Sequence, residues 1–187
     1  VSAQEPENVN RILTQARSLR LDQLNYDMLS DKQKKRVDDW AMNILVCIKQ
    51  VPDMESKFKV DGEGTWYDGA DLAWRMNEYD EYAVEQAVQL KEQAGGDLTV
   101  LCIGPERVKE TMKKALAMGC DRGVHVADDD SFKKDPFSIA SIIAEHARTK
   151  SYDVIFTGMQ SQDRGSAQVG VMVSEMLGIA AVTTIVG

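Results

Sequence analysis

The chain has 187 residues, 43% of them apolar and 28% charged, enough for one full domain with a buried core. Its formal net charge of −8 argues against a nucleic-acid backbone or an anionic membrane surface as the main partner. No apolar run approaches the ~20 residues that cross a bilayer, so membrane insertion is not expected.

Residues 1–41 read as a polar, helical N-terminal extension, with Ile12, Leu13, Ala16, Leu19 and Leu24 on a partly apolar face and a short helix from Lys32 to Trp40. The acidic start, with Glu5 and Glu7, resembles neither a secretory signal nor an organellar leader. A strongly patterned domain, residues 42–187, follows. Ile44 to Ile48 is a continuous apolar run, as a parallel strand covered on both faces requires. Residues 58–60 and 65–67 flank a glycine-containing turn and predict a small hairpin. Residues 78–94 predict a helix whose apolar positions are Tyr82, Val84, Ala87, Val88 and Leu90, ended by Gly95 and Gly96. Leu98 to Ile103 is the next buried strand, and Gly104 and Pro105 break it ahead of a helix over 106–118 with Val108, Met112, Ala115 and Leu116 on one side.

A short strand over 123–126, a solvated acidic loop at Asp128 to Asp130 and a helix over 136–150 come next. Val154 to Gly158 is a strand, followed by a polar loop, a helix from about Ser166 to Leu177 and a last strand over 181–186. Repeated β–α–β units of this size imply an α/β fold, a Rossmann-like parallel sheet with helices on both faces. Ligands on such sheets bind beyond the carboxyl ends of the strands, where the strand order reverses.

The segment from Gly158 to Gly170 leaves a buried strand and enters a helix, so its free N–H groups and the positive helix end suit a phosphate. Gly158 and Gly165 permit close backbone approach, Ser166 can cap the helix, Asp163 can hold a ribose hydroxyl or a turn, and Arg164 can reach a phosphate. An ordinary strand-to-helix turn fits the same spacing. The segment is neither a Walker loop nor a G-x-G-x-x-G fingerprint, so a dinucleotide dehydrogenase is not expected. Cys47, Cys102 and Cys120 lie far apart with no Cys-x-x-Cys pair, which leaves zinc and iron–sulfur centres without support and fits reduced thiols in a bacterial cytoplasm. His125 and His146 have no second ligand near them in sequence and read as structural. No nucleophile–base pair is readable, so no catalytic residue is assigned.

Four stretches together resemble the beta subunits of electron transfer flavoproteins. They are Met42 to Asp53, the asparagine turn Met76 to Glu85, the helix-to-strand segment Ala115 to His125, and the loop Gly158 to Gly170. They occur in family order and cover residues 42–187. The resemblance implies an adenine nucleotide, AMP or a second FAD in its place, in the crevice of an adenine nucleotide alpha hydrolase-like fold. Cys47, Ile103 and the turn residues Asn77, Glu78, Tyr79 and Asp80 would line the adenine pocket. Gly158, Met159, Gln160, Ser161, Gln162, Asp163, Arg164, Gly165, Ser166, Ala167, Gln168 and Val169 would wrap ribose and phosphate. It further implies an electron carrier rather than an enzyme, paired with an alpha subunit that shares or binds FAD, and served by a flavin dehydrogenase such as acyl-CoA dehydrogenase. Family chains continue past Gly187 with a dehydrogenase-recognition loop and an arm onto the alpha subunit. The rival reading is a stand-alone nucleotide sensor of the universal-stress-protein type, whose glycine spacing differs from that of 158–166. A ligase of the pyrophosphatase-loop type would need a Ser/Gly-rich loop after the first strand, where Lys49 to Asp53 stand.

Overall fold

A computed structural model describes residues 41–185; the helices expected within 1–40, and Val186, lie outside the described residues. The main sheet is four-stranded and parallel throughout. It comprises β1 (Met42–Ile48), β4 (Gly96–Gly104), β5 (Arg122–Ala127) and β6 (Val154–Thr157). The order β5-β4-β1-β6 places β4 and β5 on one side of β1 and β6 on the other. The reversal between β1 and β6 is where a crevice must open.

The continuous apolar runs exist because both faces are covered. Ile44, Val46, Leu98, Val100 and Cys102 point to one face, against Val84, Ala87 and Val88 of α1 (Glu78–Ala94) and Met112 and Ala115 of α2 (Val108–Met118). Leu45, Cys47 and Leu101 point to the other, against Ala140 and Ile143 of α3 (Pro136–Arg148) and Val173 of α4 (Val169–Leu177). The Asp135 carboxylate caps α3 by accepting the Ser138 N–H at 2.7 Å, with Pro136 at its start. Among the described residues no helix is long and apolar enough to cross a membrane.

Several sequence expectations are corrected. The segment 58–67 holds only the antiparallel bridge Val60–Tyr67, not two strands. The true pair is β2 (Gln50–Pro52) with β3 (Trp74–Met76), so the intervening residues form an arm. Tyr82 is exposed on α1 rather than inward, and Leu116 is also exposed. α2 begins at Val108, after a turn in which Val108 N–H donates to Pro105 O. Residues 181–185 are not a strand: Val182 and Ile185 are 78% and 74% exposed, and Thr184 turns the chain at φ 56°. A β-branched run favours a strand only where a neighbour completes its ladder and a face is buried, and these residues have neither among the described ones.

Candidate functional site

Beyond the carboxyl ends of β1, β4 and β6 lies a cleft of about 180 Å³. Its floor holds Cys47, whose thiol is pushed up mainly by burial, and Ile103. Asn77 opens α1 and is 1% exposed. Its side-chain amide donates to Gln160 O and accepts the Gln162 N–H, both at 2.9 Å. One buried side chain thus fastens the following loop in both directions. Three residues on, Asp80 is buried against the strand tips. Burial raises its carboxyl to about 7, although the Lys49 N–H, Asn77 and the Lys49 charge favour ionisation.

The loop 158–170 starts where a side chain has no room. A Cβ on Gly158 would lie 2.0 Å from Asp80 Oδ1. The chain then turns, with Gly165 N–H donating to Ser161 O at 2.8 Å. Gly165 has φ 61°, and Ala167 has φ 52°, a left-handed conformation that costs a residue with a Cβ roughly 1–2 kcal/mol. These two angles delay the helix: α4 starts at Val169, not near Ser166, and Gln168 rather than Ser166 precedes it without a side-chain cap. Ala167→Gly is expected to raise stability by about 0.5–1 kcal/mol, because relief of strain exceeds the added chain entropy. A urea midpoint equal to or below that of the parent would refute the strain.

The cations of the cleft are engaged internally. Lys49 Nζ lies 2.6 and 2.7 Å from the Asp163 carboxylate oxygens and 3.3 Å from Ser161 Oγ. Lys134 pairs with Asp128 at 2.7 Å. Arg164 donates to the carbonyls of Lys134 and Phe132 and lies 5.7 Å from the Trp66 ring centre. Arg107 stacks on Trp74 at 3.9 Å. Trp66, itself 5.5 Å from the Phe132 ring, brings the arm to the mouth of the cleft together with Tyr67.

Of the residues singled out in the sequence, Cys47, Asn77, Asp80, Ile103, Gly158, Met159, Gln160, Ser161, Asp163, Arg164, Ser166, Ala167, Gln168 and Val169 line this cleft. Glu78, Tyr79, Gln162 and Gly165 do not: Glu78 accepts from Gln162 Nε2 outside it, and Gly165 shapes the turn. Asp163 is placed as the partner of Lys49 rather than as a turn cap. Sequence reasoning passed over Lys49, Gln50, Arg107, Phe132 and Lys134. For Lys49 and Gln50 a signal existed, since they directly follow β1 at the end where the crevice opens. His125 binds Gly104 O at 2.8 Å, and His146 meets the Tyr152 hydroxyl at 3.0 Å, both structural contacts.

Comparison with known proteins gives the family of the chain. The family described as "Electron transfer flavoprotein domain" has a model that matches residues 66–187. The electron transfer flavoprotein subunit beta of Bacillus subtilis (strain 168) is 38% identical over 145 residues, covering 77% of this chain and 56% of its own length. The acryloyl-CoA reductase electron transfer subunit gamma of Anaerotignum propionicum is 37% identical, covering 76% and 54%. Protein FixA of Sinorhizobium fredii (strain NBRC 101917 / NGR234) is 35% identical, covering 76% and 51%. The chain therefore spans about half the length of the curated relatives it matches. The chain belongs to the electron transfer flavoprotein family, in its beta-subunit branch.

Proposed function

We propose that this chain supplies the adenine-nucleotide site of a two-subunit electron carrier. The observation that carries the reading is the cleft at the β1–β6 reversal. There the loop 158–170, clamped by Asn77, leads its free amides into the start of α4. Val169 and Gly170 begin that helix, so their N–H groups lack intrahelical partners and suit a phosphate. Gly158 lets the loop lie flush with the strand tips, and Cys47 and Ile103 give the adenine a largely apolar floor.

The ligand is AMP, or the adenylate end of a second FAD in its place. When bound, the flavin of the complex supplies the electron-transfer chemistry. This chain binds and orients the ligand. Its partner is an alpha subunit, and electrons arrive from a flavin dehydrogenase of the acyl-CoA dehydrogenase kind. The naming of the Anaerotignum relative as an electron transfer subunit of a CoA-ester reductase supports that setting. The test is the nucleotide content of a denatured extract of the complex with its alpha subunit. One flavin with AMP marks a simple carrier, and two flavins mark FAD in this cleft. An extract whose only adenylate is that of a single flavin refutes the proposal.

A further inference from the structure

The β1–β6 ladder ends at the pair Cys47–Thr157, and past it the strands separate to form the cleft. The next residues on each strand do not lose their connection. Lys49 N–H donates to Asp80 Oδ2 at 2.6 Å, and the Gly158 N–H faces the same carboxylate, with Oδ1 packed where a Gly158 side chain would be. Asp80, 5% exposed in the first turn of α1, stands in the gap as a rung between two strands that no longer touch.

We infer that Asp80 is a positioning residue that sets the width of the cleft by bridging the tips of β1 and β6, and that it holds the nucleotide-binding width only while ionised. A carboxylate offers acceptors to both N–H groups. A carboxylic acid turns a hydrogen toward one of two donors, so one contact must open. Burial raises this carboxyl to about 7, which brings both states into play near neutrality. The groups facing Asp80 are Cys47 of β1, Lys49 just past its end, and Cys102 from β4. Both thiols are raised by burial and by the Asp80 charge itself. Asp163 on the loop takes up the Lys49 ammonium, while on Asp80's own helix Glu78 binds Gln162 and Glu81 pairs with Lys114.

Two opposite pH dependences follow. The folded carboxyl lies above its ordinary value of 3.8, so the stability it contributes is complete below about pH 4 and is lost as the pH rises through about 7. Ligand affinity runs the other way, rising over the same interval. The ligand half of this inference rests on the nucleotide reading of the cleft; the bridge itself does not.

Amide ¹H–¹⁵N spectra of the full chain test the bridge directly. The Lys49 and Gly158 signals should titrate together with a midpoint near neutrality, and should be flat in Asp80→Asn. Binding is then measured with adenosine, because the phosphate of AMP itself titrates near neutrality. Wild-type affinity should fall by up to about tenfold per pH unit below the midpoint. Asp80→Asn should remove that slope, while Glu81→Gln, a charge on the same helix outside the cleft, should keep it. Lys49 and Gly158 amides insensitive to pH would overturn the inference even if Asp80→Asn fails to fold. So would a slope that survives in Asp80→Asn. Titrating amides with no adenosine bound at any pH would instead remove the nucleotide reading and the ligand half with it.

Discussion

Gly158→Ala is expected to destabilise the fold by about 2–3 kcal/mol and to empty the cleft of nucleotide. The added methyl would stand 2.0 Å from Asp80 Oδ1 and 3.1 Å from both Asp80 N and Tyr79 C. Two of those neighbours are backbone of the first turn of α1, and the third is a carboxylate already fixed by the Lys49 N–H at 2.6 Å. No flexible side-chain end is available to yield. The strand tip must therefore shift, carrying the loop amides away from the position where a phosphate would meet them. Urea denaturation together with adenylate content of the purified complex measures both effects. An alanine variant with the parent midpoint and a full complement of nucleotide would show that the close approach has no role.

Asn77→Ala should cost about 2–4 kcal/mol, because it removes two hydrogen bonds and leaves partly buried partners unpaired. Gln160 O loses its donor and Gln162 N–H its acceptor, and the void is left under a residue only 1% exposed. The backbone bond from Asn77 N to Lys49 O at 2.9 Å survives, so β1 and α1 stay joined while the loop is released. The expected signature is selective: faster proteolysis within 159–168 alongside the lowered denaturation midpoint. Loss of stability without any gain in cleavage there would mean that Asn77 matters to the core and not to the loop.

The fold was legible where burial dictates composition. Ile44 to Ile48 are apolar throughout, and Leu98 to Ile103 at every position but the buried Thr99, because helices cover both faces. The start of α4 was not legible, since the left-handed backbone at Ala167 leaves no trace in an alanine. Residues 181–185 carry strand-like side chains, but a strand is made by its neighbour, which composition does not reveal. In the site, the loop stood out by its glycines. The pairing of Lys49 with Asp163 spans 114 positions, and each partner alone looks like a common surface charge. Arg164 illustrates the same limit: its reach to the carbonyls of Phe132 and Lys134 depends on a turn 30 residues earlier in the chain.

The saturation of Lys49, Lys134 and Arg164 by groups of the protein itself has a consequence for what the cleft selects. With those three cations engaged, a ligand would be held largely by oriented amides and shape, with Arg107, stacked on Trp74, the remaining lining cation. Such attraction acts over a short range, releases few counterions, and changes little with ionic strength. On the proposed reading, a modestly charged adenylate would be retained in dilute and concentrated salt alike, and a triphosphate would gain little from its extra charge.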